Sequence, residues 1–313
     1  MRLSTIVHDG RRTLAIAEGP GDTWRLAPGN LHLEDIIAGA PIPAGGASLT
    51  ADEAVPVLPH RPGTIFGIGL NYLDTITEMG WPRPKAPYLF TKLSSSAIGT
   101  GEAIAIDAAV TRRVDWETEL AVVIGAEARD IPEDKALDVV FGYTVANDVS
   151  ARDLQADDAQ WVRGKGLDTF CPLGPVVVTA DEIKDPQALA VRTWVNGEKV
   201  QDGTTADMLF SVRSLIAYLS RFFTLRPGDV ILTGTPSGCG DFMDPPRALR
   251  PGDTVMSEVE GIGRLVNPVR VAGEQGAPDR STADPPSPAD RASTQASTQA
   301  SMQSSIQAFR STS

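Results

Sequence analysis

From Thr64 to Ala272 the chain consists of short apolar runs cut by glycine, proline and asparagine. The runs are TIFGIGL, AIAID, ELAVVIG, VVFGYTVAND, PLGPVVVT, VRTWVNGEKV, DVILTGT and DTVMSEVEGIGRLVNPV. Runs this short, rich in β-branched residues and bounded by turn formers, predict strands. The Asn196-Gly197 pair predicts a tight hairpin within one of them. Only three helices compete: Ser211 to Phe223, capped by Ser211; one from Ser150 through ARDLQADDAQW; and one from Tyr72 to Met79. Many strands with few helices predict a mainly β architecture of packed or rolled sheets.

Residues 1–55 read as a small β-rich domain, with apolar runs around an Asp-Gly hairpin signal at Asp9-Gly10. Pro- and Gly-rich stretches at 41–47 and 55–63 read as a linker, and residues 60–272 as the main domain. From 273 to 313 the composition turns to Ser, Gln, Ala and Pro, with an STQA repeat. Such a tail has too little apolar surface to offset its ordering entropy and is expected to be disordered.

The net charge of -12 argues against nucleic acid, which needs clustered Lys and Arg. No run approaches the roughly 20 apolar residues of a membrane helix. The N-terminus lacks the uninterrupted apolar core of a secretory signal. Two cysteines, Cys171 and Cys239, are too few for a disulfide framework and fit a reduced cytoplasm, where both read as small buried hydrophobes.

VDWETELAVVIG sets Asp115, Glu117 and Glu119 at alternate positions. In a strand, Glu117 and Glu119 then share one face while Trp116 and Thr118 point away. The apolar LAVVIG that follows places this strand in the core. Two carboxylates at the mouth of a buried strand repel one another, and a divalent cation with oxygen ligands, Mg²⁺, Mn²⁺ or Ca²⁺, removes the conflict. The alternative is an edge strand with a solvated acidic face. A second acidic element, the strand ending in Asn147-Asp148 before a helix, offers Asp148 as a further ligand or as a helix cap. Lys165 lies in a Gly-flanked loop suited to a substrate carboxylate or oxyanion. TGTPSGCG at 233–240 offers backbone N–H groups and the Thr235 hydroxyl. It lacks the ending of a Walker A loop, and the glycines at 67–69 lack the rest of a dinucleotide fingerprint.

GLNY at 69–72, DWETELAVVIG at 115–125, GYTVANDVSARDLQ at 142–155, KGLDTFCPLGP at 165–175, the WVNGE hairpin and LTGTPSGCG occur in one order. Together they closely resemble the C-terminal domain of the fumarylacetoacetate hydrolase family, over about residues 60–270. The resemblance implies a mixed β-sandwich roll and a homodimer. It implies cation ligands Glu117, Glu119 and Asp148, and a substrate pocket lined by Arg152, Gln155, Lys165 and Thr235. It further implies small 2-oxo acid, acylpyruvate or β-dicarbonyl substrates, and C–C hydrolysis, decarboxylation or isomerisation.

One departure stands out. Hydrolytic and decarboxylating members that this chain resembles often read N-Y-x-x-H-x-x-E in a lid helix, the His and Glu sharing a face as an acid–base pair. Here Thr75 occupies the histidine position and Glu78 is retained. The three histidines, His8, His32 and His60, all precede the core, and His60 in the Pro-rich linker is expected to be solvated. Threonine cannot serve as a general base near neutral pH. The leading expectation is therefore chemistry that needs no activated water: tautomerisation, isomerisation or decarboxylation through a metal-stabilised enolate, with Glu78 moving protons. The alternatives are acylpyruvate hydrolysis by Glu78 without histidine, and a non-catalytic binder that keeps the cation. Leu73 to Lys85, with Gly80, Pro82 and Pro84, reads as a hinged lid.

Overall fold

The computed structural model describes residues 1–17, 23–29, 31–50 and 53–274. The disordered tail expected over 273–313 lies, after its first two residues, outside the described residues. In chain order the strands and helices begin with β1 (Arg2–His8), β2 (Arg11–Ala17), β3 (Trp24–Leu26), α1 (Leu33–Ile37) and β4 (Ser48–Leu49). There follow β5 (Ile65–Gly69), α2 (Leu73–Met79), β6 (Tyr88–Lys92), β7 (Ala97–Ile98), β8 (Ile104–Ile106), β9 (Val114–Asp115) and β10 (Thr118–Ile124). Next come β11 (Val140–Asn147), β12 (Ser150–Ala151), α3 (Arg152–Asp157), α4 (Val162–Lys165) and β13 (Cys171–Thr179). The last are β14 (Ala190–Val195), β15 (Glu198–Thr204), α5 (Val212–Phe222), β16 (Val230–Leu232), β17 (Thr254–Val259) and β18 (Gly263–Val271).

The large sheet runs β4-β3-β2-β1-β13-β11-β10-β16-β5-β6, with β7 joined to β13. A second sheet runs β15-β14-β17-β18-β8, and β9 pairs only with β12. Both sequence-predicted hairpins form. Asp9 and Gly10 turn β1 into β2, and Asn196 and Gly197 turn β14 into β15; all four have positive φ, as a type I′ turn requires. Within the N-terminal segment, β1 to β4 join the large sheet, β1 pairing with β13 through Arg2–Val178 and Leu3–Val177.

Strand β10 is buried along its whole length. Leu120, Val122 and Ile124 pack on one side with Leu215, Ile216 and Leu219 of α5 and with Val191, Val259 and Leu265 of the second sheet. Ala121 and Val123 face the other side, toward Leu3, Leu14, Ile16 and the α1 residues Leu33, Ile36 and Ile37. Strands distant in the sheet order meet in this second cluster, so the large sheet rolls on itself. The result is the expected mixed β-sandwich roll, mainly β with short helices. Helix α5 starts where its cap predicts, with the Ser211 side chain accepting from Ser214 N at 3.1 Å. Among the described residues no helix is long and apolar enough to cross a membrane.

Two local expectations are corrected. The helix expected from Ser150 starts at Arg152, because Ser150 and Ala151 first pair as a strand with Asp115 and Val114. That helix stops at Asp157, and a separate turn, α4, carries Val162–Lys165. His60 is not solvated: it is 2% exposed, with Nε2 3.1 Å from the Gly228 carbonyl. Burial pushes its pKa down, against the opposing pull of Glu34 and the Gly228 contact. A base held neutral in the fold takes up its proton on unfolding. Stability is thus full above the unfolded histidine pKa of about 6.5 and is lost as pH falls through it. Denaturant melts between pH 8 and 5 should show this loss in the wild type and a shallower loss in His60→Gln. Parallel profiles would remove His60 from the account.

Candidate active site

The strand register brings the acidic residues together. β10 and β11 are antiparallel neighbours, with Thr118 opposite Asn147 and Glu119 opposite Ala146. Glu117 and Asp148 are one step beyond that ladder, and Asp148 N donates to Glu117 O at 2.8 Å. The Asn147 side chain accepts from Glu117 N at 2.9 Å, which fixes the backbone between the carboxylates. One carboxylate oxygen from each of Glu117, Glu119 and Asp148 lies within 4.8 Å of the others. All three residues are buried. The continuous strand expected over Asp115 to Glu119 is broken: Trp116 and Glu117 lie between β9 and β10, which belong to different sheets. The cause is Trp116, fully buried in a separate apolar cluster with its Nε1 donating to Gly238 O. Asp115 turns to other work, accepting from Gly240 N at 2.7 Å and from Arg152 Nε at 2.9 Å.

Three cations answer these acids. Lys165 Nζ lies 2.8 Å from Glu117 Oε2 and 2.6 Å from Asp148 Oδ2. It closes α4 rather than sitting in an open loop, and its ammonium stands 4.9 Å from the Phe90 ring centre. Lys92 Nζ pairs with Asp148 Oδ1 at 2.5 Å and donates to Val149 O at 3.1 Å. Arg152 spans Asp115 and Glu117, at 2.8 and 2.7 Å. Sequence reasoning missed Lys92. A signal existed, because Tyr88-Leu89-Phe90-Thr91-Lys92 is a strand in which Lys92 is in phase with buried Phe90.

Electrostatics divide the carboxylates. Burial pushes Glu119 well above the usual glutamate range, and neighbouring Asp148 and Glu117 push it further than Lys165 and the Gly234 N–H can pull it back. Burial acts on Asp148 in the same sense, but Lys165 and Lys92 outweigh it and hold that carboxyl below its ordinary value. Burial would depress Lys165, yet Asp148 and Glu117 raise it. All the donors in the cluster are hard oxygens. A group of three buried acids that keep one of their number from ionising freely fits a divalent cation of the Mg²⁺, Mn²⁺ or Ca²⁺ kind.

A cavity of about 450 Å³ opens onto this cluster. Glu117, Lys165, Arg152, Gln155, Thr75 and Thr235 line its polar side, and Trp81, Trp161 and Phe242 contribute aromatic walls. The structure thus brings together the substrate-pocket residues expected from the sequence. Thr235 Oγ1 donates to Thr118 O at 2.8 Å and accepts from Gln201 Nε2 at 2.9 Å. Gly234 N donates to Glu119 at 2.6 Å. Gly234 has φ 93°, and a Cβ there would approach Asn71 Cβ to 2.8 Å, so this turn needs glycine.

Helix α2 covers the 233–240 loop and ends at Gly80 in the left-handed conformation. Thr75 is buried, and its hydroxyl donates to Thr235 O at 2.8 Å. Asp74 accepts from Ser237 N and Oγ at 3.1 and 3.0 Å. Glu78 is exposed and accepts from Gly238 N at 3.2 Å. Its partial burial raises its pKa, with Asp74 and Asp115 adding to the rise and the Gly238 N–H opposing it. Both cysteines are buried free thiols, as expected. Burial pushes Cys171 up to about 12 and Cys239 well above its usual value, so neither supplies a thiolate near neutral pH.

Comparison with known proteins agrees with this arrangement. Residues 64–270 match the family described as fumarylacetoacetate (FAA) hydrolase C-terminal. The chain is 50% identical over 211 residues to the mitochondrial oxaloacetate tautomerase of Xenopus laevis, spanning 67% of this chain and 66% of that protein. It is 45% identical over 227 residues to the mitochondrial oxaloacetate tautomerase of Homo sapiens, spanning 69% of this chain and 72% of that protein. Among solved structures, the fumarylacetoacetate hydrolase of Exiguobacterium antarcticum aligns with TM-score 0.80 at 39% identity, over 87% of this chain and 99% of that one. The 2-hydroxyhepta-2,4-diene-1,7-dioate isomerase of Mycobacterium marinum aligns with TM-score 0.73 at 36% identity, over 88% of this chain and 100% of that one. The chain therefore belongs to the fumarylacetoacetate hydrolase family, whose enzymes are generally dependent on a divalent metal.

Proposed function

We propose that this chain is a metal-dependent enzyme that moves a proton between carbon and oxygen of a small 2-oxo acid, a tautomerase or isomerase. The observation that carries the reading is the convergence of the Glu117, Glu119 and Asp148 carboxylates, with Glu117 and Lys165 lining a cavity that Thr75 of α2 also lines. A divalent cation held by the three carboxylates would supply Lewis acidity to the oxygens of the substrate, lowering the cost of enolate charge. Lys165 would direct its ammonium at the substrate's carboxylate or developing enolate oxygen. Arg152, held in place by Asp115, would orient the same end of the substrate, with Gln155 and the Thr235 hydroxyl beside it. Glu78 would take the proton from the carbon next to the oxo group and deliver it to the enolate oxygen, and would carry it back from oxygen to carbon in the reverse direction.

Thr75 supports a reaction without activated water. Its hydroxyl proton is committed to the Thr235 carbonyl, and it has no titratable group to act on water. Tautomerisation conserves every atom of the substrate and consumes no water. The names of the Xenopus and human relatives and of the Mycobacterium structure point the same way. A second reading, C–C hydrolysis of an acylpyruvate, is favoured by the retained Glu78 and by the name of the Exiguobacterium structure. Decarboxylation of a 2-oxo acid would use the same enolate.

Four experiments test the reading. A screen of small 2-oxo and β-dicarbonyl acids with Mg²⁺ or Mn²⁺ should find enol–keto conversion that a chelator abolishes. Glu117→Ala should lose both cation binding by calorimetry and turnover, and unchanged activity would refute the site. In kcat/KM against pH, the acidic limb should fall above the ordinary glutamate value of about 4.3, because Glu78 is raised, and should vanish in Glu78→Gln. Thr75→His should add acetylpyruvate cleavage if the rest of the scaffold is competent for hydrolysis. Efficient cleavage by the wild type would instead establish the second reading.

A further inference from the structure

Lys92 is the buried cation that the proposed reaction leaves without a role. Its side chain is fully enclosed and does not reach the cavity, whereas Lys165 lines it. The two lysines take opposite oxygens of Asp148, Lys92 at Oδ1 and Lys165 at Oδ2. Lys92 is anchored a second time by the Val149 carbonyl, on the residue next to Asp148. The other charged groups in contact with the cluster already balance: Arg152 pairs with Asp115 as well as with Glu117. A lysine buried this completely persists only where its charge is answered.

We propose that Lys92 is a positioning residue that fixes Asp148 from behind and matches the charge of the carboxylate cluster to a divalent ion. The proposal rests on the reading that Glu117, Glu119 and Asp148 hold a cation. The three carboxylates carry three negative charges when ionised. Lys92 returns one positive charge, leaving the two that a divalent cation neutralises. Lys165 is then released from counter-ion duty and is available to the substrate. Without Lys92 the same cluster would be matched to a trivalent ion. The two lysines differ by place: Lys92 belongs to the back wall of the site and Lys165 to its open face.

The test is the ratio of Tb³⁺ to Mn²⁺ affinity. Terbium binding is read by tryptophan-sensitised luminescence and manganese binding by calorimetry, both without substrate. Glu117→Ala identifies the signal that comes from this site. Removing a unit charge a few ångströms from the ion favours the trivalent over the divalent cation by about tenfold or more. Lys92→Met should shift the ratio toward Tb³⁺ by that factor, and Lys92→Arg should leave it near the wild-type value. A merely structural disturbance weakens both ions together and leaves the ratio in place. Should Lys92→Met fail to fold by circular dichroism, Lys92→Gln, which keeps a hydrogen-bond donor, should give the same shift. An unchanged ratio in the neutral variant, with both ions still bound, overturns the proposal and leaves the metal site intact. A wild-type protein that binds neither ion overturns both.

Discussion

Like-charge repulsion among Glu117, Glu119 and Asp148 is the constraint around which this molecule is arranged. Two of these residues are almost completely enclosed and the third is 7% exposed, so water does little to screen them. Left uncompensated, such a group would cost more than a domain's marginal stability allows. The protein meets this with paired lysines on Asp148, an arginine on Glu117 and a backbone N–H on Glu119. The residual conflict falls on Glu119, whose carboxyl is driven toward its neutral form when no cation is present.

The fold keeps the acids where they repel. Glu119 is the second residue of a strand buried on both faces, and Asp148 follows the neighbouring strand, so neither backbone can relax away without disrupting the core. Asn147 and Asp115 extend this rigidity to the irregular segment between β9 and β10. The front of the site is built differently. It is covered by a helix of seven residues, and its polar contacts to the 233–240 loop run through Asp74, Thr75 and Glu78. A charged back wall held in the core, and a cover attached through three side chains, fit the proposed enzyme, which must hold a cation and admit a substrate.

Much of this was legible in the sequence because the signals were local. Short apolar runs bounded by turn formers marked the strands, Asp9-Gly10 and Asn196-Gly197 marked the hairpins, and Ser211 marked the α5 cap. Alternation put Glu117 and Glu119 on one face because it is a local property too, whereas Asp148 joined them only through the family resemblance. What was not legible depends on contacts between distant segments. Ser150 looked like a helix start because its pairing with Asp115, 35 positions away in sequence, cannot be read from its neighbours. His60 looked solvated because the linker around it is Pro-rich, but the Gly228 carbonyl from another part of the chain encloses it. Lys92 carried only its phase with Phe90, and nothing nearby announced Asp148 as its partner. Asp115 shared the alternation of Glu117 and Glu119, yet the buried Trp116 redirected the backbone and gave Asp115 a structural task.

The proposed chemistry needs Glu117, Glu119 and Asp148 to form one cation site. Crystals soaked in Mn²⁺ and measured above and below the manganese absorption edge test it most directly. The account predicts a single strong anomalous peak enclosed by Glu117, Glu119 and Asp148, with Lys92 still on Asp148. An anomalous map that is empty there at saturating Mn²⁺, or whose peak lies on other residues, would contradict it.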